Sequence, residues 1–153
     1  MATVEDLLAI KGARVVSIEP DVTVLDATRK MNRWKIGSLV VTSDSGDEAT
    51  GCERVIGMFT ERDVLTRVVG AQLDPATTRV EEVMTRGVIF ARRETDVDEI
   101  ADMMRGRRIR HLPVCDAAEQ LIGLISIGDL NAWRATGQAT TIEHLNDYIL
   151  GRA

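Results

Sequence analysis

Thr60 and Asp63, and again Ser126 and Asp129, place a hydroxyl three positions before a carboxylate. Each pair stands where an apolar, β-branched stretch ends and a helical pattern begins. Backbone N–H groups at a helix start favour an anion, and the hydroxyl adds a hydrogen bond to a phosphate. The carboxylate, one turn in, accepts from the two hydroxyls of a ribose. The same spacing also makes a capping box, which stabilises a helix and binds nothing. Either pair alone fits the cap better; two pairs at matching positions favour the ligand role.

The dense cationic stretch is Arg105, Arg107, Arg108, Arg110 and His111. Arg105 and Arg107 read as a solvated helix end, where cations complement the helix dipole. Arg110 and His111 differ, because the strand Leu112-Pro113-Val114 follows at once and aims them at a binding cleft. A guanidinium suits phosphate because its planar fork binds two oxygens. Val16 to Ile18, Val88 to Phe90, Ile36 and Ile109 can form an apolar slot; as single residues they fit ordinary core equally well. Catalytic constellations are absent. Of the two histidines, His144 lies on a terminal helix and His111 has no Ser or Cys partner, and no Gly-rich phosphate loop occurs. Cys52 and Cys115 lack metal-ligand spacing, so no metal site is expected. Cys115 reads as a small core hydrophobe.

These residues recur because the chain repeats itself. Val24 to Met31 align with Val97 to Met104, and Ile36 to Val41 with Ile109 to Val114, at an offset of 73. Ile56 to Asp63 align with Ile122 to Asp129 at an offset of 66, so the first copy carries seven extra residues in the polar loop from Ser43 to Arg54. In this alignment Arg110 and His111 fall on Gly37 and Ser38, with Lys35 nearby. The site of Asp129, taken with Arg110 and His111, is then the stronger for phosphate and that of Asp63 the weaker; where phosphates reach across to the other copy, Arg110 serves Asp63 and the order is exchanged.

Each copy predicts strand-helix-strand-strand-helix. The first has strands over 15–18, 38–42 and 55–60, a Thr23-capped helix to about residue 32, and a helix over 61–69. The second has strands over 88–90, 111–114 and 121–126, and helices over 96–105 and 127–135. Short helices are expected outside the copies, over 3–10 and 140–150. Gly70 to Thr78 reads as the linker, dividing the chain into 1–73 and 74–153. The fold class is α+β.

Composition bounds the rest. The chain has 153 residues, 44% apolar and 28% charged, with two Trp, two Phe and one Tyr, so its core is built from aliphatic residues. A net charge of −5 disfavours general nucleic-acid binding. No stretch is apolar for long enough to span a bilayer, and residues 1–6 do not open a signal peptide. Reduced thiols in the cytoplasm are the expectation.

The doubled pattern, with Met84-Thr85 before the second copy, Ile109 to Val114, and the closing segments Gly57 to Asp63 and Gly123 to Asp129, resembles a pair of cystathionine-β-synthase (CBS) domains of the stand-alone bacterial type. The resemblance covers residues 4–150. It implies two βαββα repeats packed sheet to sheet about a pseudo-twofold axis, with two clefts that take AMP, ADP or ATP, or else S-adenosylmethionine or NAD. Magnesium is implied only with bound ATP. On this basis the nucleotide-binding residues are Thr60, Asp63, Ser126, Asp129, Arg110, His111, Lys35, Ile36, Ser38 and Ile109. The implied function is a non-enzymatic adenine-nucleotide sensor acting on an unidentified protein target. The alternative is a scaffold with empty clefts. A homodimer is expected, because the helix faces of Leu65-Val68-Val69 and Leu130-Trp133 read as exposed and apolar.

Overall fold

The computed structural model describes residues 1–12, 14–43 and 54–137. The expected terminal helix with His144, the thiol Cys52 and most of the polar loop lie outside the described residues. The first repeat runs β1 (Ser17–Ile18), α2 (Val24–Trp34), β2 (Ser38–Ser43), β3 (Arg54–Thr60) and α3 (Glu61–Asp63), preceded by α1 (Val4–Lys11). Helix α3 continues through π-helical turns over Val64–Val69. A short α4 (Val80–Val83) follows, then α5 (Val97–Arg107), β4 (His111–Cys115), β5 (Leu121–Ser126) and a helix α6 at residues 127–137. Mixed helices and small sheets make this the expected α+β fold.

Local chemistry sets the boundaries. The Thr23 hydroxyl accepts from the Asp26 N–H at 3.2 Å, and the Asp96 carboxylate from the Asp98 N–H at 2.8 Å, capping α2 and α5. Both helices end on a residue in the left-handed region, Lys35 at φ 52° and Arg108 at φ 54°. These two caps are equivalent positions of the repeat. The apolar faces Val24-Ala27-Met31 and Val97-Ile100-Ala101-Met104 are buried.

The first sheet has the order β1-β2-β3, with β1 parallel and β3 antiparallel to β2. Among the described residues, the second contains β4 and β5 alone. The strand expected over 88–90 is reduced to a single bridge, Ala91 to Val114. The cause is Pro113. In the first sheet Val40 N–H donates to Val16 O at 3.3 Å; Pro113 occupies the equivalent position and has no N–H to donate. The sheets face each other across a shared layer of Val40, Val55, Met58 and Cys115, with Phe90, Leu121 and Leu124 packed against it. Burial pushes the Cys115 thiol up to about 11, ahead of the opposing pull of Arg92, so it behaves as the expected hydrophobe.

The two short helices were read unequally: α1 was expected, α4 was not. They are nonetheless counterparts. Val4, Leu7 and Leu8 of α1 pack into the core of the second repeat, whereas Val80, Val83 and Met84 pack into the core of the first. Each enters beside a glycine. A Cβ at Gly123 would meet Leu8 Cδ2 at 2.8 Å, and one at Gly57 would meet Met84 Sδ at 2.5 Å and Thr85 O at 3.0 Å. The apolar faces expected at the surface divide differently. Val68 and Leu130 are buried at 1% exposure each, while Leu65 and Val69 are exposed at 66% and 64%. The reason is that Val68 and Leu130 are the positions where each closing helix meets its own core.

Gly57→Ala is expected to destabilise the fold by about 1–3 kcal/mol, because backbone as well as side chain must move to admit the methyl. A thermal melt should show Tm lower by roughly 2–10 °C. An unchanged Tm would contradict the close docking of Met84-Thr85.

Candidate functional site

The ends of β3 and β5 run directly into helices, and both hydroxyl-x-x-Asp pairs form reciprocal caps there. Asp63 Oδ2 accepts from Thr60 N–H at 2.9 Å and Thr60 Oγ1 at 3.1 Å. Asp129 Oδ2 accepts from Ser126 N–H at 2.7 Å and Ser126 Oγ at 2.8 Å. The first backbone donors of both helices are also used: Glu61 N–H donates to Gly37 O at 3.1 Å, and Ile127 N–H to Arg110 O at 2.8 Å. The anion attraction expected of these helix starts is therefore largely satisfied internally, and phosphate binding falls to side chains.

Those side chains meet in a cleft of about 930 Å³ between the repeats. Thr60, Glu61, Arg62, Asp63 and Arg67 line it from the first repeat; Arg105, Arg108, Ile109, Arg110, His111 and Arg134 line it from the second. Among the described residues, six guanidinium groups thus face two carboxylates, in a chain whose net charge is −5. Arg67 lies 3.6 Å from Asp63, and Arg105 and Arg134 each lie 3.3 Å from an aspartate outside the cleft. Among the described residues, Arg62, Arg108 and Arg110 have no such ion pair. Met58, Val88, Ile89, Ala101, Met104 and Ile109 give the cleft an apolar wall.

Of the residues singled out by sequence, Thr60, Asp63, Ile109, Arg110 and His111 come together here. Ser126, Asp129, Lys35, Ile36 and Ser38 are not part of this lining. Ser38 is buried opposite Thr60 in the β2–β3 ladder, Ile36 packs against the first core, and Lys35 is an exposed helix cap. Arg110 lines the cleft of Asp63, across the pseudo-twofold axis from its own repeat's carboxylate. Arg110 and His111 thus share a lining with Thr60 and Asp63, while His111 also pairs with Ser126 across the β4–β5 ladder and feels the charge of Asp129. Trp34, which precedes Ile36 in sequence, also stands apart, with Arg14 stacked 4.0 Å over its ring.

Sequence reasoning missed Arg62, Arg67, Arg134, Thr85 and Lys11. Arg67 carried a signal, four residues after Asp63 on one helix. Thr85 Oγ1 donates to Asp63 Oδ1 at 3.3 Å, and Lys11 Nζ reaches Asp129 Oδ2 at 2.5 Å; neither contact has a sequence signature. Burial favours the protonated Asp129 carboxyl, but hydrogen bonds from Lys11 and Ser126 outweigh it and hold the group below the ordinary carboxylate value. Among the described residues, no group of three or more His, Cys, Asp or Glu could hold a metal ion, and no helix is long and apolar enough to cross a membrane.

The CBS-domain family model matches residues 4–70 and 80–135. The chain belongs to the CBS-domain family. The mitochondrial CBS domain-containing protein CBSX3 of Arabidopsis thaliana is 30% identical over 97% of this chain and 72% of its own length. A CBS-domain containing protein of Agrobacterium tumefaciens has a crystal structure with TM-score 0.75 and 36% identity, covering 86% of this chain and 98% of that one. The CBS domain pair of protein MJ0100, solved in complex with 5′-methylthioadenosine and S-adenosyl-L-methionine, has TM-score 0.75 at 20% identity, covering 90% and 98%, a likeness of fold. Inosine-5′-monophosphate dehydrogenase of Methanocaldococcus jannaschii matches 82% of this chain at 29% identity, and only 23% of the enzyme is covered. The CBS repeats thus occur both as nearly whole proteins and as a part of larger ones.

His111 lines the cleft and titrates differently from a free imidazole. Burial first, and then the Lys11 ammonium, lower its pKa below 6.5 against the opposing pull of Asp129 and Glu61. The unfolded chain therefore takes up a proton as pH falls through about 6.5 while the folded CBS pair resists it, and stability is lost with falling pH. Melts between about pH 7.5 and about pH 5.5 should show a fall in Tm that is shallower in His111→Gln. Parallel curves for the two proteins would contradict a half-buried imidazole that resists protonation.

Proposed function

We propose that the cleft between the repeats binds an adenine nucleotide and that the chain is a regulatory module rather than a catalyst. The observation that carries this reading is the arrangement of one buried carboxylate and six arginines across a cleft lined by both repeats. A ribose diol needs an acceptor, phosphates need cations, and a base needs an apolar wall; this lining contains all three. The volume of about 930 Å³ is in the range of small-molecule sites. In this reading Asp63 receives the ribose, Thr60 and Arg110 the phosphates, with His111 beside them and Ile109 against the base. Ser126 and Asp129 form the second half-site, while Lys35, Ile36 and Ser38 keep their places as helix cap, core and ladder residue of the first repeat. The charge favours AMP, ADP or ATP, with magnesium entering only alongside ATP, over S-adenosylmethionine, whose sulfonium would sit among guanidiniums. Because the lining comes from both repeats, a bound nucleotide favours the conformation in which they are apposed, and a protein partner can read that shift. Exposed Leu65 and Val69 are the surface we assign to contact between two copies of the chain.

One observation favours the scaffold reading. Both oxygens of Asp63 already have internal partners, with Thr60 on Oδ2 and Thr85 and Arg67 on Oδ1. The Oδ1 contacts are the long ones, 3.3 and 3.6 Å, and are the ones a ribose hydroxyl would replace.

Calorimetry with AMP, ADP and ATP separates the two. Asp63→Asn and Arg110→Ala should each weaken binding by about tenfold or more, the value of roughly 1.5–3 kcal/mol for a charge-assisted hydrogen bond. Asp129→Asn should leave the main phase intact. No heat from any adenine compound would replace the sensor with the scaffold, and equal loss from Asp63→Asn and Asp129→Asn would contradict the assignment of this cleft.

A further inference from the structure

The two half-sites are closed by equivalent chain segments that deliver different groups. Behind Gly57, the segment after α4 pairs with β3: Thr85 N–H donates to Met58 O at 2.8 Å, and its hydroxyl donates to Asp63 Oδ1 at 3.3 Å. Behind Gly123, α1 docks on β5 in the same way, and Leu124 is the counterpart of Met58. There both contacts are made by one ammonium: Lys11 Nζ donates to Leu124 O at 2.6 Å and to Asp129 Oδ2 at 2.5 Å. The two loose contacts on Asp63 Oδ1, the Thr85 hydroxyl at 3.3 Å and Arg67 at 3.6 Å, are replaced by one ammonium held at 2.5 Å on Asp129 Oδ2, and the Lys11 and Asp129 side chains are only 29% and 21% exposed.

Resting on the nucleotide reading above, we infer that Lys11 is the residue that makes the half-sites unequal: it occupies the carboxylate that a second ribose would need, so the chain takes one nucleotide per copy, in the cleft of Asp63. A hydroxyl donating at 3.3 Å and a guanidinium at 3.6 Å yield to a ribose hydroxyl with little loss. An ammonium bound to both a carboxylate and a carbonyl must first be withdrawn, and its withdrawal leaves Leu124 O without that donor. Lys11 ends α1, whose Val4, Leu7 and Leu8 are anchored in the second core, so the cation is held in place by packing rather than by its own charge alone. Asp129 is closed by sequence position 11, a residue outside either hydroxyl-x-x-Asp motif.

The test is the stoichiometry of ATP binding by calorimetry, with wild type, Lys11→Met and Lys11→Arg. Met keeps the aliphatic stem and removes the charge; Arg keeps the charge. One equivalent is expected for wild type and for Lys11→Arg, and a second, weaker equivalent for Lys11→Met. Matching melts would establish that Lys11→Met is folded, and adding Asp129→Asn to it should remove the second equivalent. The same stoichiometry in wild type and Lys11→Met, whether one or two, overturns the role of Lys11 and leaves the nucleotide reading standing. Failure of ATP to bind any of the three overturns both.

Discussion

Neither repeat completes its own core. The helix that precedes the first repeat buries Val4, Leu7 and Leu8 in the second, and the helix that precedes the second buries Val80, Val83 and Met84 in the first. Both insertions depend on a glycine, Gly123 or Gly57, at which no side chain could stand without displacing Leu8 or Met84. Because each docking segment runs past the carboxylate of the repeat it enters, this exchange also decides what each half-site is made of. Interior packing tolerates little change in volume, so the sheet-to-sheet face, the cleft and the Lys11 contact are all consequences of the same crossed arrangement.

The cleft inherits its polarity from that arrangement. The strand β4 begins at the face between repeats, so Arg110 and His111 are presented to Thr60 and Asp63 rather than only to their own neighbours. The left-handed caps do the same for Arg108. A lysine or arginine at φ near 50° is less comfortable than glycine would be, and only Arg108 of the pair Lys35 and Arg108 lines the cleft. The asymmetry between two nearly equivalent repeats therefore comes from a few substitutions at matched positions: Arg for Gly at 110, His for Ser at 111, Pro for Val at 113, and Lys11 in place of the contacts that Thr85 makes.

Much of this was legible in the sequence. The doubled helical and strand patterns placed α2, α5, β2, β3, β4 and β5 close to their observed ranges, because each carries an apolar face of the correct period. The hydroxyl-x-x-Asp pairs were found because they recur. What was not legible was anything set by contact between repeats. The strand over 88–90 looked sufficient, and only the partner Pro113, which cannot donate, reduces it to a bridge. The short helix α4 was too brief to show a period, although Val80, Val83 and Met84 repeat the spacing of Val4, Leu7 and Leu8. Sequence alone does not decide between Asp129, which shares a repeat with Arg110, and Asp63, which shares its cleft lining.

The central claim is that the functional cleft belongs to both repeats at once, and a crystal structure grown with excess ATP tests it most directly. The account predicts one nucleotide, with its ribose at Asp63 and its phosphates among Arg62, Arg108 and Arg110, and Lys11 still on Asp129. A nucleotide seated on Ser126 and Asp129 with Lys11 displaced, and the cleft of Asp63 left without one, would contradict it.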